Sequence, residues 1–169
     1  MAAKSARCAV DGKRLFDRPV GGVVSITHET MSLMWSHAQT DRQAPEAGGV
    51  LLGRLITDAE DVIVDHATPP SPVDRATRVR FFRSRRPANA AIRTYWEQSS
   101  ATCNYLGEWH THPEDRPTPS CIDLRNWQRV LTKSTFEQDF LLFIIVGRVE
   151  LRLWELRVGE RSPHLLRPV

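Results

Sequence analysis

Residues 108–123 read Glu108-Trp109-His110-Thr111-His112-Pro113-Glu114-Asp115-Arg116-Pro117-Thr118-Pro119-Ser120-Cys121-Ile122-Asp123. Two imidazoles stand two positions apart, a proline-punctuated stretch follows, and Ser120 and Asp123 close the run. Two histidines and one carboxylate are a ligand set that leaves a tetrahedral zinc one open position for water. An open position implies hydrolytic chemistry rather than a structural metal.

The spacing also predicts the local structure. Residues 104–110, Asn-Tyr-Leu-Gly-Glu-Trp-His, read as a strand that runs on to His112. Side chains at i and i+2 of a strand share a face, so His110 and His112 can converge on one ion. Pro113, Pro117 and Pro119 stiffen the following loop, because each ring fixes its φ. From Ser120 the pattern turns helical, with Ile122, Trp127, Val130 and Leu131 as an apolar stripe. Asp123 falls one turn into that helix, on the same face as Ser120.

Each piece also has a plainer reading. Ser120-x-x-Asp123 after a proline is a good helix N-cap with an acid in the first turn. An isolated His-x-His on a strand is more often a pair of partly buried histidines. It is their order and intervals together that favour a metal site. A general base is still needed, and Glu46 is the candidate, ahead of Ala47-Gly48-Gly49-Val50-Leu51-Leu52-Gly53. The two glycines permit close backbone approach. Taken locally, an ordinary exposed acid in a turn is the favoured reading of Glu46.

A Glu before Gly-Gly-Val-Leu-Leu-Gly, then about sixty residues later Gly-x-x-His-Thr-His-Pro, seven residues and Ser-x-x-Asp, resembles the JAMM signature. JAMM proteins are the MPN-domain zinc isopeptidases that remove ubiquitin and ubiquitin-like proteins, and the resemblance spans residues 22 to 157 or so. It implies that His110, His112 and Asp123 hold one catalytic zinc, that Glu46 is the general base and acid, and that Ser120 steadies the oxyanion. Glu108 departs from the family, which often has an aromatic residue there. By strand parity it faces the histidines, either bonding an imidazole as an outer partner or pointing away at the edge. An insertion carrying a second, structural zinc in several relatives is absent here. The wording of the motif is similar to bacterial members found beside cGAS-like nucleotidyltransferases in antiphage defence operons. The resemblance then implies a protein substrate: the C-terminal tail of a conjugated protein, such as that nucleotidyltransferase, released from its target amine. Two other readings stay open. One is trimming of a ubiquitin-like sulfur carrier; the other is a non-catalytic MPN scaffold, which the five motif residues disfavour.

Composition agrees. A chain of 169 residues suits one domain, expected at 22–169 behind an N-terminal extension of 1–21. No window approaches the roughly 18 apolar residues of a membrane span, and the N-terminus lacks a signal-peptide apolar region. Cys8, Cys103 and Cys121 show no paired spacing, which points to a reducing cytoplasm. Cys121 reads as a core residue. Net charge is only +3, yet Arg75, Arg78, Arg80, Arg83, Arg85 and Arg86 crowd one stretch. A solvated, aggregation-resistant strand edge is the first reading, docking of a protein partner by Arg75, Arg78, Arg80 and Arg83 the second, and nucleic acid a distant third. His28, His37, His66 and His164 lack ligand spacing, and only His66 lies beside a loop that could line a cleft.

Periodicity predicts strands at 23–26, 48–57, 61–66, 78–83, 139–147 and 149–157, and helices at 28–39 and 88–101. A proline-rich loop covers 67–74. Strands alternating with helices give an α/β (α+β layered) fold, a mixed sheet flanked by helices. The MPN domain implied by the resemblance has that form.

Overall fold

The computed structural model describes residues 12–169, and its sheet is built around the most apolar run of the chain. Phe140–Val146 is buried along its whole length. A strand with no polar face has to be covered on both sides, and its alternate residues serve two separate cores. Leu142, Ile144 and Val146 join one cluster, with Val24, Ile26, Met34, Leu51, Val64 and Trp109. Leu141, Phe143 and Ile145 join the other, with Val50, Leu52, Tyr105, Trp127 and Leu156.

The elements in chain order are β1 (Arg14–Asp17), β2 (Val23–Ile26), α1 (His28–Trp35), β3 (Gly48–Leu55), β4 (Val62–Ala67), β5 (Arg75–Thr77), β6 (Arg80–Phe82), α2 (Arg85–Gln98), β7 (Asn104–Thr111), α3 (Cys121–Lys133), β8 (Phe140–Val146), β9 (Leu151–Arg157), β10 (His164–Leu165) and β11 (Arg167–Pro168). Among the described residues nine strands form one sheet in the order β10-β9-β8-β7-β3-β4-β2-β1-β11, and β5 and β6 form a separate hairpin. β2 runs parallel to β4 and β7 parallel to β8, while the other pairs are antiparallel. Met31, Leu33 and Trp35 of α1 cover the first core. Ile92 and Tyr95 of α2, with Leu124 and Val130 of α3, cover the second. Trp127 of α3 stacks on Phe143 with ring centroids 4.6 Å apart. The result is the mixed, helix-flanked α/β architecture that the periodicity predicts.

Several boundaries differ from the sequence reading. β1, set there ahead of the domain, is a strand of the main sheet with Phe16 in the core. Just beyond it the buried Arg18 bonds Glu155 through Nε at 2.8 Å. Cys8 lies outside the described residues. α1 stops at Trp35 instead of running to residue 39, and the chain then turns Gln39 inward to 2 % exposure. α2 starts three residues earlier than predicted, since Pro87 sits in its first turn, where no backbone N–H is needed. The strand expected at 78–83 is instead the β5–β6 hairpin, turning at Arg78-Val79. That turn carries neither glycine nor asparagine, so no hairpin signal was present to be read.

Candidate metal centre

β7 is a central strand, paired with β3 on one side and β8 on the other. It delivers His110, and the backbone N–H of His112, one residue beyond its end, still bonds the Val146 carbonyl at 3.0 Å. Both imidazoles are thus carried on backbone that the sheet holds. Beyond His112 the loop is pinned to the β8–β9 turn: Arg148 N–H donates to the Glu114 carbonyl, and Arg148 Nε to Asp115 Oδ1 at 2.8 Å. The chain then enters α3 at Ser120, where a capping box closes the first turn. Asp123 N–H donates to Ser120 Oγ, while the Ser120 N–H and hydroxyl each reach Asp123 Oδ2 at 2.6 Å. The plain N-cap reading of Ser120 and Asp123 is therefore correct, and the same turn also points Asp123 at the histidines.

The geometry can be tested against a metal. Nε2 of His110 and Nε2 of His112 lie 3.0 Å apart. Asp123 Oδ1 is 3.3 Å from the first, and Oδ2 3.4 Å from the second. Ligands about 2.0–2.2 Å from a tetrahedral ion stand about 3.3–3.6 Å from one another; the two carboxylate contacts match that spacing through different oxygens, and the ring nitrogens, 3.0 Å apart, would have to part slightly to share an ion. The donor set, two imidazole nitrogens and a carboxylate, suits a borderline metal with one position left open.

Glu46 joins this group from the segment ahead of β3. It is 6 % exposed, not a surface acid, and its Oε1 is 4.0 Å from His112 Nε2. Gly48 and Gly49 make the approach possible. A Cβ on Gly48 would stand 2.5 Å from the Trp109 carbonyl, and one on Gly49 2.1 Å from the Thr68 carbonyl. Burial pushes the Glu46 carboxyl up to about 7; His112 pulls it down, and Asp123 and Glu114 push it further up. Burial also acts against the charged form of Asp123, but hydrogen bonds from His110 and His112 outweigh it and hold that carboxyl well below its usual range. For His112 burial lowers the pKa, while the hydrogen bond and charge of Asp123 raise it to a net upward shift.

These residues open onto a cleft of about 750 Å³, whose walls include Glu108, Arg83, Arg80 and Trp96. Glu108 takes neither expected role. It pairs with Arg83 and accepts from the Tyr105 hydroxyl at 3.4 Å, so it does not bond an imidazole. Arg83 is thereby engaged within the protein, while Arg75, Arg78 and Arg80 are exposed. Cys121, expected in the core, is exposed at the first residue of α3, because the stripe that faces the sheet begins after it. His66 does not line the cleft; its ring lies tilted against Tyr95, with ring centroids 4.6 Å apart. A second grouping, Asp65, His66 and Cys103, brings three donor atoms within 4.8 Å of one another. There Arg54 already competes for Asp65 at 3.5 Å, and burial pushes the Cys103 thiol up to about 11, both unfavourable to a cation. Sequence reasoning missed Gln39 and Thr111, which brace the Glu46 segment, and the Arg83–Glu108 pair. Nothing in the local pattern marks Gln39.

Residues 27–157 match the family model described as prokaryotic homologs of the JAB domain. A protein of Pseudomonas aeruginosa called a CD-NTase/cGAS isopeptidase is 34% identical over 87% of this chain and 90% of its own length. One of the same name from Vibrio cholerae is 33% identical over 85% of each chain. The solution structure of a Desulfitobacterium hafniense protein shares the fold with a TM-score of 0.60 at 22% identity, covering 83% of this chain and 87% of that one. The matched span holds Glu46, His110, His112, Ser120 and Asp123 in the motif's order, and the chain belongs to the prokaryotic JAB-domain family, the family of the JAMM signature.

Proposed function

We propose that this chain is a zinc-dependent isopeptidase that hydrolyses the amide bond after the C-terminus of a conjugated protein, and that it releases a cGAS-like nucleotidyltransferase from its targets in antiphage defence. The observation that carries the reading is the triangle of His110, His112 and Asp123 with the buried Glu46 at 4.0 Å from His112. The name CD-NTase/cGAS isopeptidase, borne by the relatives, supports the substrate class.

His110, His112 and Asp123 would hold the ion. Zinc bound there supplies a water of pKa about 7 and a Lewis acid for the scissile carbonyl. Glu46, buried with its Oε1 4.0 Å from His112 Nε2, would take a proton from that water and return it to the leaving amine. Ser120 would steady the developing oxyanion, for which its hydroxyl turns from Asp123 Oδ2 toward the substrate. The exposed Arg75, Arg78 and Arg80 beside the cleft would receive the protein partner. The thiols of Cys103 and Cys121 are both free, which supports a reducing, cytoplasmic setting.

The test is mass spectrometry of a cleavage reaction on a nucleotidyltransferase carrying a peptide at its C-terminus, with and without a zinc chelator. One cut directly after the native C-terminal residue, abolished by chelator, is expected. No cut by zinc-loaded protein overturns the substrate and turns the search to ubiquitin-like and sulfur-carrier tails.

A further inference from the structure

Gln39 carries a carboxamide into the interior, with 2 % of the residue exposed. A buried amide has to be paired or it destabilises the fold, and this one is paired at both ends. Its Nε2 donates to the Ala44 carbonyl and to the Arg78 carbonyl, each at 2.9 Å. Its Oε1 accepts from the Thr111 hydroxyl at 3.1 Å. The orientation is unambiguous, since only the amino end can satisfy two carbonyls.

The partners lie in three places. Ala44 precedes Glu46 by two residues. Arg78 is in the turn of the β5–β6 hairpin. Thr111 stands between His110 and His112, fully buried, and by strand alternation its side chain faces away from theirs. The Thr111 hydroxyl also accepts from the Ala47 N–H at 2.9 Å, and the Glu46 N–H donates to the Thr77 carbonyl at 2.8 Å. The backbone on both sides of Glu46 is therefore hung on two supports, the hairpin tip and the strand that carries the histidines. Gln39 bonds to both supports and to the Glu46 segment itself.

We infer that Gln39 is a positioning residue for the Glu46 carboxylate: it ties the Glu46 segment, the hairpin tip and the histidine-bearing strand into one unit, so that the seating of the hairpin sets where the carboxylate stands against His112. This rests on Glu46 being the general base. A displacement of about 1 Å in a catalytic group costs on the order of 10²-fold in rate, which is the effect expected when the tie is cut.

The test uses the full chain loaded with zinc, in wild type, Gln39→Leu and Gln39→Glu. Leucine keeps the bulk without polar atoms; glutamate keeps the acceptor for Thr111 and turns both donor bonds into repulsions. The readouts are zinc content, kcat and KM separately, and amide hydrogen exchange. Both variants should keep one zinc. Both should lose kcat by on the order of 10²-fold with KM little changed. Exchange should rise on the order of tenfold at Glu46, Ala47 and residues 75–82, while α3 and β8 keep their protection. Should Gln39→Leu fail to fold, Thr111→Val decides, since it removes the hydroxyl between Gln39 and Ala47 at nearly constant shape. It should act in the same direction, and the double variant should lose no more than the worse single. Unchanged kcat and exchange overturn the inference, as does a uniform rise in exchange with kcat intact, or loss of zinc. A zinc-loaded wild type that cleaves no conjugate while its variants show the local exchange pattern would count against the isopeptidase reading and leave the tie standing.

Discussion

The two halves of the candidate site are held in different ways. His110, His112 and Asp123 fall within fourteen consecutive positions, on a strand bonded to neighbours on both sides and on the first turn of a capped helix. The elements' own hydrogen bonds position these side chains. Glu46 comes from a segment with no regular structure ahead of β3, and its place depends on Thr77, Thr111 and Gln39. A metal site on regular structure should tolerate changes around it, whereas the carboxylate side should be separable by single polar substitutions.

The largest effects should fall along that division. His112→Ala removes a proposed ligand and should weaken zinc binding by more than the roughly 10–100-fold that loss of an outer partner costs, with activity lost alongside. Glu46→Gln should keep zinc and lose turnover by on the order of 10²–10⁴-fold. Metal content and single-turnover rates, measured on both, check the pair. Zinc loss from the Glu46 variant would make Glu46 a ligand and erase the distinction.

Ser120→Ala probes the point where support and chemistry share a residue. Its hydroxyl caps α3 and bonds Asp123, so stability should fall by about 1 kcal/mol. Turnover should also fall by on the order of 10²-fold. Thermal unfolding and kcat, compared on the same samples, separate the roles. Lower stability with turnover intact would leave Ser120 as a cap alone.

The same division governs what could be read from the residues. The half that gathers His110, His112 and Asp123 was legible because its information is local: a period of two for the histidines, prolines for the loop, a cap and one helical turn for Ser120 and Asp123. The central strand at 140–146 was legible because nothing but double burial accommodates seven apolar residues in a row. Glu46 could be nominated from its place ahead of two glycines, but only the family resemblance chose a base over an exposed acid, since its burial comes from pairing with residues some sixty positions away. Gln39 was invisible, as a polar residue trailing an amphipathic helix has no pattern. Glu108 was placed on the right face by parity, yet its partner Arg83 arrives from a segment whose fold was misread. Arg78-Val79 turns the hairpin without a glycine, and its stability comes from docking, where Phe81 packs over Gly48 and Gln39 holds the Arg78 carbonyl.

The smallest effect should come from the exposed arginines, and it is also the most discriminating for the hairpin. Gln39 uses the Arg78 carbonyl, not its guanidinium, so replacing Arg75, Arg78 and Arg80 together by serine leaves every tie to the Glu46 segment in place. Stability should change by about 0.5 kcal/mol or less, as for surface substitutions, and kcat should be unaltered. If these side chains receive the protein partner, KM should rise on the order of tenfold at low ionic strength, with the difference fading as salt screens the charges. Steady-state kinetics against salt concentration measure this directly. A fall in kcat would mean that the arginine side chains help to seat the hairpin and reach Glu46 through it. An unchanged KM would confine substrate recognition to the cleft walls, where Trp96 is half-exposed and Arg83 is already committed to Glu108.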